Sequence, residues 1–216
     1  MDDVQTIVRA DLAEAYRSAF SHVTSPGVRF DGARRRAIAD AAISAYLDPE
    51  PPPPWVRPHG DLALDVAHRL AAHAATITRE WYEQVVSEGL DPLEWVEVVG
   101  VVVAALPPVA FARAAGRTLP GLPPAADGQP SAREAADLVP ARLNFVPVAA
   151  PADAVAAVVQ ALSALPTEWD MLWALAGAQY MSDRQMDDPL WNRGTLSRPQ
   201  MELVASRLAA MRQCVF

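Results

Sequence analysis

Two residues near the end of this chain, Glu202 and Cys214, have side chains and a spacing that could support thiol chemistry. Eleven residues separate them, and Cys214 is the only cysteine among the 216 residues. A thiolate is a nucleophile and a redox group, and a nearby carboxylate can take the proton of a thiol directly or through a relay. Along one straight helix, however, this separation corresponds to about 18 Å of rise. The chemistry therefore requires a turn between the two residues.

The first half of the chain contains a segment that aligns with this region. EVVGVVVAALPPVAF, which begins at Glu97, matches ELVASRLAAMRQCVF, which begins at Glu202, at a constant offset of 105 residues. This alignment indicates an internal duplication.

The alignment also predicts where the required turn lies. Pro107 and Pro108 are expected to interrupt or kink the first helix, because a proline removes a hydrogen bond and clashes with the preceding turn. Residues 212–213 occupy the corresponding place in the second half. Cys214 is then expected in the first turn of a new helix, where unpaired amides and the helix dipole lower the pKa of a thiol.

A structural interpretation of the same segment stays open beside the chemical one. Ser197 and Gln200 form a plausible capping box, and an apolar stripe at alternating spacings of three and four predicts a core-facing helix. A cysteine beside such a stripe can be a small buried hydrophobe. The stripe consists of Met201, Val204, Leu208, Met211 and Val215.

Alanine-rich segments at helical spacing alternate with proline-rich joints, and no convincing strand pattern appears, so the predicted fold class is all-α. The longest joint, residues 116–130, divides the chain into two halves. Helices are predicted near residues 3–21, 32–47, 61–75, 78–88, 92–106, 108–115, 152–164, 168–180 and 198–211.

Charge and composition exclude several classes of partner. The 18 basic residues, all arginine, are outnumbered by 26 acidic residues, and the net charge of −8 predicts no nucleic-acid partner. The first residues lack the basic start of a secretory signal, and the longest apolar stretch contains Glu97 and two prolines. We therefore expect a cytoplasmic protein with no membrane partner.

The segment LSRPQMELVASRLAAMRQC resembles the core motif of the alkylhydroperoxidase D and carboxymuconolactone decarboxylase superfamily, a glutamate followed by eleven residues and a cysteine. In the peroxidase branch the motif continues as Cys-x-x-Cys, three residues and His. DPLEWVEVVGVVVAALPPVAF and the connector after it are similar to the amino-terminal part of two-repeat members. The likeness covers roughly residues 61–216.

The resemblance implies an all-α helical bundle of two degenerate alkylhydroperoxidase D-like repeats joined by a proline-rich connector. Residues 1–60 would form N-terminal helices and a proline-rich loop, residues 61–150 the first repeat with the connector, and residues 151–216 the second repeat. It also implies that Glu202 is the proton-relay carboxylate and that Cys214 is the first motif cysteine, which resolves the oxidised partner group.

The resemblance fails beyond Cys214. The second motif cysteine would fall at position 217 and the histidine at position 221, whereas the equivalents in the first half are Val109, Ala112 and Gly116. Three explanations compete: a truncated piece or reading of a longer protein, a pseudo-enzyme, or a selenocysteine codon at position 217 read as a stop. On each of them, the 216-residue chain is expected to have little or no peroxidase activity.

The leading functional prediction is thiol- or selenol-dependent hydroperoxide reduction in the full-length form. The expected partners are a hydroperoxide substrate, a thiol reductant protein and further copies of the chain in a homo-oligomer. No cofactor and no metal are predicted. The alternatives are a non-catalytic helical scaffold or oligomerisation module, or a carboxymuconolactone decarboxylase-like protein.

Three other groups of residues receive structural interpretations. His68 and His73 are five residues apart, which does not suit a metal pair on one helix face, and the arginines at 34–36 are predicted to be a solvated face. The aromatic residues are interpreted mainly as core and oligomer contacts, with a substrate pocket as the alternative. These residues are Trp81, Tyr82, Trp95, Trp169, Trp173, Tyr180 and Trp191.

Overall fold

A computed structural model describes residues 8–49, 57–140, 145–150 and 157–211. The chain divides into two compact units, residues 1–175 and residues 176–216. The all-α prediction is confirmed, because the described residues form eight α-helices and a single two-stranded sheet. The helices are α1 Ala10–Val23, α2 Gly32–Leu47, α3 Leu62–His73, α4 Arg79–Ser87, α5 Pro92–Ala114, α6 Pro166–Gln179, α7 Asp183–Met186 and α8 Arg198–Met211.

Short polar side chains determine where several of these helices begin. Asp31, Asp61 and Thr78 each accept a hydrogen bond from a backbone amide three residues ahead, which satisfies one of the free amides of the first turn. Asp91 does the same at α5, and Glu94 returns a bond to the Asp91 amide, which completes a capping box. The predicted bounds of α2 and α8 agree with the structure to the residue.

Helix α5 corrects the prediction of a break at Pro107 and Pro108. It continues through both prolines and ends at Ala114, so the two helices predicted over 92–106 and 108–115 are one. Each proline removes one amide donor from the ladder. Pro108 is buried, as are Val109 and Ala112 in the next turn, so tertiary packing holds the helix together past this point.

The first unit is built around α5. Helices α1, α2 and α3 pack against it, and α2 also packs against α3. Small and β-branched side chains of α2 and α5, such as Ala42, Val98 and Val101, are fully buried at these contacts. Trp95 is also buried and stacks edge-on against Trp81 and Tyr82, at centroid distances of 5.4 and 5.0 Å. Core packing therefore accounts for these three aromatic residues.

Among the described residues, α5 is the one helix that is long and apolar enough to cross a membrane. Its best 18-residue window has a mean hydropathy of 2.0, and 67% of that window is buried inside the protein. The central helix of a globular core has the same properties.

The segment after α5 departs most from the predictions. Leu138–Pro140 and Pro147–Ala149 form a short antiparallel pair that the sequence did not predict. The helix predicted over 152–164 is wrong in its described part, where residues 157–160 form a 3₁₀-helix and turns follow. Residues 151–156 lie outside the described part of the chain.

The second unit contains the end of α6, the one-turn helix α7 and α8. Arg193 donates hydrogen bonds to the carbonyl oxygens of Gly177 and Tyr180, which fixes the loop after α7 to the end of α6. The predicted capping box of α8 is half formed. The Ser197 amide donates to Gln200 Oε1 at 2.9 Å, but the Ser197 hydroxyl contacts the same oxygen and not an amide of the helix.

Candidate functional site

Glu202 lies in the first half of α8, where its carboxylate has two partners. Arg198, one turn earlier, donates from Nε to Glu202 Oε1 at 2.5 Å. The phenol of Tyr180, which follows α6 directly, also interacts with this carboxylate. The Glu202 side chain is 46% exposed, so it can reach solvent and a reacting group while its partners hold it.

Arg198 is itself fixed by backbone atoms of the second unit. Its Nη1 donates to the carbonyl oxygens of Gln185, Met186 and Asp188 at 3.1 to 3.4 Å, at the end of α7 and just beyond it. Its amide donates to Asn192 Oδ1. The guanidinium therefore presents Glu202 in a defined position that depends on the loop before α8.

These partners set the protonation of the site. The hydrogen bonds from Tyr180 and Arg198 lower the pKa of the Glu202 carboxyl, and burial together with the Glu202 contact raises the pKa of the Tyr180 phenol. At neutral pH the carboxylate is ionised and the phenol keeps its proton. Such a carboxylate can accept a proton and pass it on, although its lowered pKa makes it a weak base.

The other predicted catalytic residue, Cys214, lies outside the described residues, as do Val215 and the predicted turn at 212–213. Helix α8 is unbroken from Glu202 to Met211, about 13.5 Å of rise. Because α5 passes through Pro107 and Pro108, the alignment with the first half no longer supports a break after Met211. The approach of carboxylate and thiol stays a prediction.

The apolar stripe of α8 is not the core-facing surface that its spacing predicts. Met201 is buried, but Val204, Leu208 and Met211 are 69%, 56% and 76% exposed. The prediction is therefore wrong for three of its four described members. The second unit leaves a row of large apolar side chains on the surface of α8.

A second constellation, which the sequence analysis missed, lies in the core of the first unit. Arg35 on α2 is fully buried, and its Nη1 donates to Glu97 Oε1 on α5 at 2.5 Å and to Glu168 Oε1 on α6 at 2.7 Å. Its Nη2 donates to the carbonyl oxygen of His22, near the end of α1. One guanidinium thus links four helices.

Further hydrogen bonds satisfy the two carboxylates. His22 Nε2 lies 2.9 Å from Glu168 Oε2, and the Arg29 amide donates to Glu97 Oε2 at 2.5 Å. Both glutamates are at most 1% exposed, whereas 18% of the His22 side chain is exposed. His22 is therefore the member of the cluster in contact with solvent.

The two buried carboxyl groups shift in opposite directions. Desolvation by burial raises the pKa of Glu97 in spite of the Arg35 charge. Burial acts the same way at Glu168, but the His22 hydrogen bond and the Arg35 charge outweigh it, and the pKa of Glu168 is lowered. Arg35 and these two carboxyl groups form the ionic centre of the cluster, and Glu168 has the lower pKa of the two.

Two glycines leave space for these carboxylates. A Cβ at Gly27 would lie 2.0 Å from Glu97 Oε1, and a Cβ at Gly100 would lie 2.4 Å from Glu168 Oε2. Real Cβ contacts are not this short, so each position needs glycine for steric reasons. The cluster is thus built into the backbone of α5 and of the segment between α1 and α2.

The position of Arg35 corrects the prediction that residues 34–36 form a solvated face. Arg34 pairs with Asp61 and Arg36 is partly exposed, but Arg35 is fully buried. A signal was present in the sequence. Arg35 precedes Ile38 and Ala39 by three and four residues, so it lies on the apolar face of α2.

No group of three His, Cys, Asp or Glu side chains that could hold a metal ion occurs among the described residues. The acidic residues near the two spaced histidines have other roles: Asp61 caps α3 and pairs with Arg34, and Asp65 accepts a bond from the His59 amide. In the core cluster, a guanidinium occupies the centre between the two carboxylates.

The chain matches no protein-family model, no curated protein and no solved structure with which it was compared. The likeness to the alkylhydroperoxidase D superfamily consequently depends on the sequence alone, on the motif that ends at Cys214 and on the similar segment in the first half.

Proposed function

We propose that this chain is a thiol-dependent oxidoreductase of the alkylhydroperoxidase D-like kind, in which Glu202 relays the proton of Cys214. The supporting observation is the fixed, ionised and half-exposed Glu202 carboxylate on α8, twelve residues before the single thiol. Tyr180 and Arg198 hold it for proton transfer. The peroxidatic group that the resemblance predicts at position 217 is not among the 216 residues of the sequence.

The chemistry of this thiol is a balanced displacement. In the resolving step, the Cys214 sulfur forms a bond to the oxidised sulfur or selenium of the partner group. The bond between that oxidised atom and its oxygen breaks, and the oxygen leaves as hydroxide. The proton given up by the thiol converts the hydroxide to water. The reaction with an organic hydroperoxide also needs a proton for its leaving group. The thiol sulfur bonds to one oxygen, the O–O bond breaks, and the departing alkoxide takes up the proton. Cumene hydroperoxide can therefore probe the relay in this chain.

The test compares two reagents that react with the thiolate. Iodoacetamide needs no proton for its leaving group, whereas cumene hydroperoxide does, so loss of the relay should slow only the second reaction. We expect Glu202→Gln to slow sulfenic acid formation by about 100-fold at pH 7, the size of a general acid–base contribution. Alkylation of the same thiol should not slow. Because the chain has one cysteine, both rates report on Cys214.

Glu14→Gln is the matched control, because Glu14 is also an exposed helical glutamate paired with an arginine. The pH profile of alkylation gives an independent reading, since the proposal requires the thiol to titrate well below the free value of about 8.5. An ordinary thiol pKa, together with equal rates of cumene hydroperoxide reduction in wild type and Glu202→Gln, would reject the proposal.

A second candidate function, self-association through α8, is favoured by the exposed side chains of Val204, Leu208 and Met211. Their spacing of four and three residues is that of a helix–helix seam. A two-fold interface can bury the same row from both copies. The occupant of this surface would then be a second copy of the chain, in a helical oligomerisation module.

A further inference from the structure

A groove in the first unit suits a small amphipathic ligand. It has a volume of about 560 Å³ and lies between α1, the last turns of α5 and the segment of residues 117–123. Small-molecule sites usually have volumes of 300 to 1,000 Å³, mostly apolar walls and a few polar groups that fix orientation. This groove has a volume in that range, a mostly apolar wall and a few polar groups.

Aromatic and proline side chains form its wall. Phe20 of α1 and Pro108 of α5 are buried, and Tyr16 and Phe111 are half-buried with their ring centroids 5.7 Å apart. Such rigid side chains lose little conformational entropy when an alkyl chain packs against them. The wall therefore fits a hydrocarbon chain.

The charged side chains of the groove are cationic. Arg17 and Arg117 line it, and none of its described lining residues is acidic, although the whole chain has a net charge of −8. Arg17 contacts Glu14 at 2.6 Å, but its side chain is 73% exposed and a guanidinium carries five N–H donors. Two arginines beside an apolar wall match a carboxylate attached to a hydrocarbon chain.

We propose that this groove binds a free fatty acid, with its alkyl chain along Phe20, Pro108 and Phe111 and its carboxylate at Arg17 and Arg117. This inference is independent of the proposed thiol chemistry, since it uses no residue of that site. An uncharged or cationic amphiphile of the same length can pack against the apolar wall but cannot form an ion pair with the two arginines.

The probe is dansyl-undecanoate, whose fluorescence rises when it enters an apolar site. We expect saturable binding to the full chain and displacement by laurate. Dodecanol and dodecyltrimethylammonium should compete at least about tenfold less well, because they lack the charge-assisted hydrogen bonds. Equal competition by the three amphiphiles, or no saturable binding, would overturn the proposal.

Variants locate the site. The double variant Arg17→Gln/Arg117→Gln should weaken laurate binding by about tenfold and leave dodecanol unchanged, whereas Arg133→Gln/Arg184→Gln, two exposed arginines outside the groove, should change neither. An equal loss in both double variants would indicate a nonspecific charge effect and would contradict the assignment.

The apolar wall is tested by filling the groove. A Cβ added at Gly121 meets no atom within 4 Å, so this position can begin a side chain; Gly121→Trp then adds a ring to the lining of the groove, and Ala13→Phe adds one from α1. We expect both to reduce laurate and dodecanol binding at least about tenfold, and Gly121→Ala to retain it. Circular dichroism checks the fold, and wild-type affinity in both folded variants would place the ligand elsewhere.

Discussion

At the scale of single residues, Arg35 controls the energetics of the core. Its fully buried guanidinium donates to both Glu97 and Glu168, so both buried carboxyl groups depend on the same positive charge. The cost of burying such a set of charges is offset only when all members are present. Removing one charged member should therefore lower the free energy of unfolding more than replacing all three with neutral side chains.

Arg35→Met should lower the free energy of unfolding by about 3–5 kcal/mol, because two buried carboxylates lose their counter-charge. The neutral triple variant Arg35→Met/Glu97→Gln/Glu168→Gln should be more stable than this single variant. Urea unfolding measures both differences.

Arg36→Met provides the control, since Arg36 lies next in sequence but pairs with Asp40 at 3.8 Å on the exposed face. It should cost less than about 1 kcal/mol. A loss for Arg35→Met no larger than for this control, or a triple variant less stable than Arg35→Met, would show that the ionic centre does not control stability.

At the scale of elements, α5 and α6 approach each other through a glycine. Gly100 faces the side chain of Glu168, and Glu168 Cγ would lie 2.8 Å from a Cβ at this position. The carboxylate cannot move away, because Arg35 and His22 hold both of its oxygens. The close approach of α5 and α6 therefore depends on the absence of a side chain at Gly100.

Gly100→Ala should lower the free energy of unfolding by about 1–3 kcal/mol through overpacking, in spite of the higher helix propensity of alanine. Gly177→Ala is a matched helical control, since its nearest contact would be an ordinary 3.9 Å from Ser182. This variant should gain about 0.5–1 kcal/mol. Thermal and urea unfolding compare the two, and a stabilised Gly100→Ala would refute the steric argument.

At the scale of the whole molecule, the exposed apolar row of α8 bears on assembly. Monomeric proteins rarely expose contiguous apolar patches larger than roughly a few hundred Å², and patches above this size mark interaction surfaces. Val204, Leu208 and Met211 occupy one side of α8, whereas Ser206 and Ala210 lie on the opposite side. A comparison of the two sides can separate a specific seam from general surface hydrophobicity.

The chain should self-associate in sedimentation velocity, and Val204→Glu/Leu208→Glu should shift it to the monomer, because charges at a helix seam cannot be buried unpaired. Ser206→Glu/Ala210→Glu carries the same charges on the other side and should leave the association unchanged. A monomeric wild-type chain, or an equal effect of both double variants, would argue against an α8 interface.

Much of the secondary structure could be predicted from local signals, and the candidate sites only in part. The acidic and threonine caps at Asp31, Asp61, Thr78 and Asp91 mark helix starts, since capping is a contact within one turn. Pro107 and Pro108 misled the prediction because burial of the next turn outweighs the lost hydrogen bonds. Glu202 was found from a motif, but Tyr180 is 22 residues away in sequence and had no signal linking it to the carboxylate.

By itself the sequence determined the all-α class, most helix starts and the single thiol twelve residues after Glu202, because these follow from composition, spacing and contacts within a turn. Only the tertiary structure decided that Arg35 is buried between Glu97 and Glu168 and that α5 continues through its prolines. The physical reason is the range of the interactions. Both outcomes depend on groups brought together from distant parts of the chain, where the free energy of burial outweighs the local preference of each residue.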